Sequence, residues 1–190
     1  MALSKIDVAN MLTGATPVAN GGTALTSGFA NGVTAAHNWR LTTSFEVGST
    51  SKSYITSNLE QVDTTGQGTL GTVMSQASGV FTFPSTGIWL CGMTLYTYDG
   101  ADYTYCYSEI DVTTNNSDFT EIAQSSGNGV TAASLRETSS YVSTIIDVTN
   151  TTNVKVRFAV VALDTANYIT NLGDTDKNET YAQFIKLGAT

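Results

Sequence analysis

The feature that most constrains this chain is a succession of short runs in which apolar and polar residues alternate. An alternation with a period of two places the apolar residues on one face of a β-strand. Clusters of Gly, Asn, Asp and Ser, which favour turns, separate the runs. The nine runs lie at 39–45, 54–59, 80–83, 88–96, 103–112, 119–123, 141–148, 154–163 and 181–187.

This pattern predicts an all-β domain. The gaps between the runs are too short and too polar for the helical crossovers that a parallel sheet requires. The strong helix formers Glu, Lys, Arg and Met are scarce, whereas Thr, Val, Ile and Tyr, which suit pleated surfaces, are common. We therefore predict an antiparallel β-sandwich of the jelly-roll type.

The first 38 residues differ in texture from the rest. They are rich in Ala, Gly, Asn and Thr, and Phe29 is their only aromatic residue. Such a segment cannot bury enough apolar area to hold itself together. We predict an extended docking arm over residues 1–38 and a head domain over residues 39–190.

A hairpin is predicted around the turn residues at positions 99–102. It would place one set of side chains on a common core face and a tyrosine-rich set on the other face. The core set is Trp89, Cys91, Met93, Leu95, Cys106, Ile110 and Val112, and the opposite set includes Ile88, Leu90, Tyr96, Tyr98, Tyr103, Tyr105 and Tyr107. Aromatic residues are enriched at interfaces, so Tyr96, Tyr105 and Tyr107 are candidates for a subunit interface.

No catalytic centre is predicted. His37, the only histidine, lies at the junction of the arm and the head, with nothing nearby in sequence to orient it as a base. Cys91 and Cys106 have neither the number nor the spacing of zinc ligands. For a cytosolic product we expect them to be buried thiols, although a turn centred at 98–99 would bring them opposite each other as a disulfide.

The acidic residues are interpreted as solvated turn residues. Asp174, Asp176 and Glu179 are the candidate calcium ligands, but they lack the spacing and the glycine of an EF-hand loop. No cofactor is predicted.

Charge and hydropathy exclude two classes of partner. The net charge of −8 would repel the phosphates of nucleic acid. No apolar run is long enough to cross a bilayer, and the first residues lack the apolar segment of a signal peptide. We expect synthesis in the cytoplasm of a host cell and no insertion into membranes.

The segment Gly79-Val80-Phe81-Thr82-Phe83-Pro84-Ser85-Thr86-Gly87-Ile88-Trp89-Leu90 resembles the strand-turn-strand signature of the C1q-like and tumour-necrosis-factor superfamily. The run 181–188 is similar to the last strand of that family. The resemblance covers the chain from about Trp39 onwards. It implies a jelly roll of about ten strands that associates as a tight homotrimer through aromatic faces.

The arm carries a second resemblance. Its segment Leu12-Thr13-Gly14-Ala15-Thr16-Pro17-Val18-Ala19-Asn20-Gly21-Gly22-Thr23 is similar to a segment that recurs in tail-fibre and related virion proteins of tailed bacteriophages, although Ala24 stands where a Gly is usual. Pro17 favours an extended backbone before it, and the glycine pair allows another chain to approach closely. The particle-docking candidates are Pro17, Asn20, Gly21, Gly22 and Thr23.

Together these features predict a structural protein on the virion surface, either a short fibre or a capsid decoration protein. Its partners would be two further copies of itself, other capsid or tail proteins, and in a fibre a host surface glycan. Loops of a rigid scaffold commonly carry binding residues, and Tyr98, Asp99, Asp102 and Tyr103 are the host-contact candidates. The alternative is a lectin-like, carbohydrate-binding module in which Tyr98 and Tyr103 stack on sugar rings.

Overall fold

A computed structural model describes residues 32–48, 52–99, 105–128, 136–162 and 168–190. All regular structure in these ranges is β-strand, as the alternating runs predict. The thirteen strands are β1 (Ala35–Leu41), β2 (Phe45–Gly48), β3 (Lys52–Tyr54), β4 (Leu59–Gln61), β5 (Ser75–Ala77), β6 (Val80–Thr82), β7 (Gly87–Asp99), β8 (Tyr105–Thr113), β9 (Thr120–Asn128), β10 (Arg136–Val148), β11 (Lys155–Ala162), β12 (Tyr168–Asn171) and β13 (Tyr181–Gly188).

The first sheet is built around β7. β10 pairs antiparallel with the whole length of β7. Along the other edge of β7 lie β13 and then β12, end to end. Beyond β13 the sheet continues through β1 to β4, and beyond β12 it ends at β2.

The second sheet is built around β11, and its order is β5-β6-β11-β8-β9. β8 pairs with β11 over all eight residues of the latter. The opposite edge of β11 is shared by β6 and β3, which pair with different parts of the strand. The two antiparallel sheets form the predicted jelly roll.

The predicted hairpin between β7 and β8 is wrong. β7 pairs with β10, β12 and β13, whereas β8 pairs with β9 and β11 in the other sheet. The alternation within each strand fixes which side chains face the core, but it cannot tell a hairpin from a crossover between sheets. The predicted core set is therefore buried throughout, from Trp89 and Leu95 in β7 to Cys106, Ile110 and Val112 in β8.

Strand boundaries differ from the sequence prediction where the strands are short or polar. The run at 39–45 is divided between β1 and β2, and the run at 54–59 joins the end of β3 to the start of β4. β5 and β12 were not predicted, because Ser-Gln-Ala and Tyr-Ile-Thr-Asn carry little alternating apolar signal. β1 takes in residues 35–38, which the sequence prediction assigns to the arm.

Aromatic side chains from both sheets fill the centre of the sandwich. The ring of Phe81 in the second sheet lies 5.0 Å from Phe184 in the first, and 5.7 Å from Phe158 beside it. Trp39 contacts Phe81 edge-on at 5.6 Å. A second aromatic pair, Phe83 and Trp89, extends this core at 5.5 Å.

His37, predicted to lie at the junction of the arm and the head, belongs to this core. Its side chain is buried in β1, and its ring is stacked against Phe184 at 5.5 Å. The Nε2 atom accepts a hydrogen bond of 2.9 Å from the backbone N–H of Met74. This bond requires an unprotonated Nε2, and burial lowers the pKa of His37 from its usual 6.5 to about 4.

The pKa of His37 makes folding stability depend on pH. Between pH 6.5 and about 4 the unfolded chain binds a proton that the native protein excludes, so stability falls as the pH drops through this window. Below about pH 4 the free energy of unfolding is lower by about 3 kcal/mol, whereas above pH 6.5 His37 causes no loss of stability. His37→Gln retains an acceptor for Met74 but does not titrate. Urea unfolding across this window should show a shallower pH slope for His37→Gln, and equal slopes would contradict the assignment.

Candidate functional site

The tyrosines predicted to share one face are divided between the two sides of the sandwich. Tyr96 and Tyr98 lie on β7, on the outer face of the first sheet, and Tyr105 and Tyr107 lie on β8, on the outer face of the second. The Tyr105 and Tyr107 rings pack edge to face at 5.2 Å. The candidates Tyr96, Tyr105 and Tyr107 therefore do not form one surface within a chain, because β7 and β8 belong to different sheets.

Several other predicted residues lie outside the part of the chain that the structure describes. These are the host-contact candidates Asp102 and Tyr103 and the docking-arm residues Pro17, Asn20, Gly21, Gly22 and Thr23. Tyr98 and Asp99 are the last two residues of β7. The stacking of Tyr98 and Tyr103 on one sugar stays a prediction.

An aliphatic row crosses the outer face of the first sheet. In register, Ile145 of β10 lies opposite Leu90 of β7, which lies opposite Ile185 of β13, which in turn lies opposite Ala36 of β1. Leu70 continues the row, because its backbone forms a bridge with Ala36. Opposed residues of antiparallel strands point to the same side of a sheet, so these side chains form one continuous surface.

A tyrosine row runs parallel to the aliphatic row. Tyr141 of β10 lies opposite Thr94 of β7, and Thr94 lies opposite Tyr181 of β13. Between the two rows lies Gly92, which is flanked by Ser143 of β10 and Gln183 of β13. A methyl group built there would lie 2.7 Å from the hydroxyl oxygen of Tyr141 and 3.1 Å from its ring, so Tyr141 lies over the glycine. We refer to the two rows and Gly92 together as the apolar outer face.

The exposed large apolar residues are concentrated around the first sheet. Ile145 is 61% exposed, Tyr141 51% and Leu70 48%. Val33, just before β1, and Leu187, in β13, are also exposed. Among the described residues, only Ile122 of β9 is an exposed large apolar residue in the second sheet. Clustered exposed apolar side chains are typical of a surface that another protein covers.

The outer face of the second sheet carries charged residues. Lys52 Nζ lies 2.7 Å from Glu109 Oε2 and 2.7 Å from Asp111 Oδ1. Asp111 Oδ2 accepts hydrogen bonds from Tyr54 Oη at 3.0 Å and from Arg157 Nη2 at 3.2 Å. We call these five residues the charged cluster. Glu109 and Asp111 are buried in it, although they lie on the outer side of β8.

The carboxylates that lie closest together differ from the predicted calcium candidates. Asp174 accepts hydrogen bonds from the backbone N–H groups of Asp176 and Lys177, and Glu179 pairs with Lys177 at 2.7 Å. Within the described ranges, the carboxylates near enough to share one cation are those of Glu109, Asp111 and Glu121. The ammonium group of Lys52 lies among them and already supplies the positive charge.

Comparison with solved structures finds the same fold in proteins of the tumour-necrosis-factor type. A crystal structure of murine APRIL at pH 8.0 superposes with a TM-score of 0.51 and 8% identity, covering 80% of this chain and 98% of that one. Eiger TNF from S. frugiperda gives a TM-score of 0.53 and 14% identity, with coverages of 82% and 93%. No protein-family model and no curated protein matches the sequence. The likeness establishes a TNF-like jelly-roll fold.

The sequence prediction did not identify Tyr141 and Ile145 as members of the apolar outer face. The alternation in run 141–148 already places both on the same side of a strand, opposite Val142 and Ile146. Their significance depends on the pairing of β10 with β7, which brings Ile145 beside Leu90. A pairing between strands so far apart in sequence cannot be recognised from either run alone.

Proposed function

We propose that this protein is a structural protein of a bacteriophage virion. Three jelly-roll heads associate as a homotrimer that projects from the particle, and the N-terminal arm anchors the trimer there. A short fibre and a capsid decoration protein share this arrangement. The observation that carries the proposal is the apolar outer face, whose aliphatic row crosses four neighbouring strands.

The trimer is supported by the apolar outer face together with the fold. A second copy of the chain is the occupant that we assign to it, because the C1q-like and tumour-necrosis-factor superfamily, which the sequence resembles, associates as trimers. The first sheet supplies aliphatic area at Leu90, Ile145 and Ile185 and amphipathic tyrosines at Tyr141 and Tyr181. This composition suits an interface core with a hydrogen-bonding margin.

The virion location is supported by the arm. The segment Pro17-Val18-Ala19-Asn20-Gly21-Gly22-Thr23 is similar to a recurrent segment of phage tail-fibre proteins. Its glycine pair permits close backbone contact with a partner protein of the capsid or tail. A net charge of −8 favours the solubility that a protein displayed in many copies requires.

Light scattering on the full chain tests the trimer. We expect a mass near three times the 20.0 kDa of one chain. Ile145→Lys should give a mass near that of the monomer, because it would bury an unpaired ammonium group in the interface. Ile145 is 61% exposed within one chain, so the variant should fold with little loss of stability, which circular dichroism would verify.

The matched control is Ile122→Lys, which introduces the same charge at an exposed isoleucine of the second sheet. It should remain trimeric. A monomeric unsubstituted chain would contradict the trimer and favour the carbohydrate-binding alternative. Equal masses for the two variants would show that the apolar outer face is not the interface.

Gly92→Ala tests the shape of the same face. The added methyl group would force the Tyr141 ring away from β7, since it would lie 2.7 Å from the hydroxyl oxygen. We expect trimer dissociation at roughly tenfold higher protein concentration than in the unsubstituted chain. This is a loss of about 2.7 kcal/mol per mole of trimer, because the dissociation constant of a trimer varies with the square of that concentration. The control is Gly68→Ala, where nothing lies within 4 Å of the new methyl group. Identical dissociation curves would contradict a role for Tyr141.

Peptide mass spectrometry of purified particles tests the virion location. Particles of the phage that encodes this chain should contain it in many copies. Replacing both Gly21 and Gly22 by Val should reduce its incorporation at least about tenfold, because the side chains would prevent close backbone contact. The purified variant should still be trimeric in solution. Absence of the chain from purified particles would contradict the proposed location.

A further inference from the structure

The charged cluster places the amine of Lys52, whose side chain is 28% exposed, against two carboxylates that are largely removed from solvent. The side chain of Asp111 is 2% exposed and that of Glu109 is 7% exposed. Lys52 Nζ lies 2.7 Å from one oxygen of each. The three residues come from strands β3 and β8, which lie on either side of β11 and are held in place by their pairing with it.

The second oxygen of Asp111 has its own hydrogen-bond donors. Tyr54 Oη donates at 3.0 Å and Arg157 Nη2 at 3.2 Å. The guanidinium of Arg157 lies between two rings, 3.7 Å from the centre of Tyr54 and 4.1 Å from that of Phe119. Donors fixed in this way stabilise negative charge that develops on an oxygen during attack at its carbon.

We propose that Lys52 and Asp111 form an intramolecular isopeptide bond, with Glu109 as the proton carrier and with Tyr54 and Arg157 as the donors that stabilise the oxyanion. In this reaction Lys52 Nζ attacks Cγ of Asp111. A Cγ–Nζ bond forms, and the Cγ–Oδ1 bond breaks. The products are one amide and one water molecule, so no oxidant, cofactor or co-reactant is needed.

Protons balance within the cluster. The ammonium group of Lys52 must first lose a proton to become a nucleophile, and Glu109 lies within reach to accept it. Glu109 passes this proton to Oδ1. The second proton released from Nζ as the amide forms also goes to Oδ1, which leaves as water. The negative charge that appears on Oδ2 in the tetrahedral intermediate faces the Tyr54 and Arg157 donors.

The surroundings of Lys52 and Glu109 have opposite effects on the transfer of the first proton. Burial raises the pKa of Glu109, which makes it a better proton acceptor. Burial also lowers the pKa of Lys52, but the hydrogen bonds and charges of Asp111 and Glu109 outweigh this effect and hold the pKa above its usual range. The reaction is therefore slow, but the bond has to form only once in each molecule.

A second lysine in the molecule provides a comparison. Lys177 Nζ lies 2.7 Å from Glu179 Oε1, the same separation as in the Lys52 pairs. Lys177 is 65% exposed, however, so water solvates its ammonium group. That water must be displaced before the amine can attack a carboxyl carbon. Distance alone does not select Lys52. Burial, the neighbouring carboxylate and the two donors on Asp111 Oδ2 distinguish it.

The cross-link would connect β3 to β8 across β11. Lys52 and Asp111 are 59 positions apart in sequence. A covalent bond over that separation restricts the unfolded chain in the way that a disulfide does. It would do so without requiring oxidation, which suits a protein made in a reducing compartment.

Intact mass spectrometry of the full chain tests the bond. We expect a mass lower than that of the sequence by one water molecule, after allowance for removal of Met1. Tryptic digestion should leave residues 41–136 as one peptide, with no cleavage after Lys52. Further digestion after Glu should give one joined species made of residues 47–60, which contain Lys52, and residues 110–121, which contain Asp111. This joined species distinguishes the isopeptide from a cyclic imide formed at a single aspartate, which also loses water.

Variants assign the roles. Lys52→Arg removes the amine nucleophile, and Glu109→Gln removes the proton carrier while preserving its size, so both should have the full sequence mass. Glu121→Gln is the matched control, because Glu121 is 41% exposed and lies 3.5 Å from Lys52 Nζ. It should retain the loss of water and the joined peptides.

The unsubstituted chain decides the outcome even if a variant fails to fold. A full sequence mass, both after purification and after prolonged incubation at mildly alkaline pH, would overturn the proposal. A water loss that maps to any other pair of residues would also overturn it. Because the bond lies within one chain, this result is independent of whether the chain forms trimers.

Discussion

Contact between the aromatic rings of the two sheets is the interaction on which the rest of the structure depends. Phe81 contacts Phe184 across the sandwich and Phe158 within its own sheet. Trp39, from the first sheet, also contacts Phe81. Each sheet has only one face that these rings can cover. The outer face of each sheet does not contribute to this core, and the two outer faces carry different side chains.

The two outer faces have different chemistry. Leu90, Ile145 and Ile185 make the first one apolar, whereas the second holds ionised residues that are packed among aromatic rings. A surface of the first kind loses water readily when a protein covers it. Charges as deeply buried as Asp111 persist only with partners close by, and Lys52 and Arg157 supply these. The proposed self-association on one side of the sandwich and the proposed bond on the other do not compete for the same residues.

Much of the fold could be predicted from the sequence, because alternation is a local property. Trp89, Cys91 and Ile110 were assigned to the core correctly, and they are fully buried. The placement of tyrosines on a common face failed because it depended on pairing β7 with β8. That choice requires knowledge of contacts between distant segments, such as those of β7 with β10 and β13. The charged cluster was missed for the same reason, since Lys52 and Asp111 approach each other only across β11.

The position of β13 has a consequence for the order in which the protein can be assembled during synthesis. β13 lies between β7 and β1 in the first sheet, and Ala35 pairs with Lys186. While the ribosome is still translating the segments in between, β1 has no partner on that edge. Phe81 likewise lacks the Phe184 ring until that residue is made. The sandwich therefore closes late, and contacts of such long sequence separation favour slow folding. An incomplete chain would expose the core residues of the first sheet to neighbouring nascent chains.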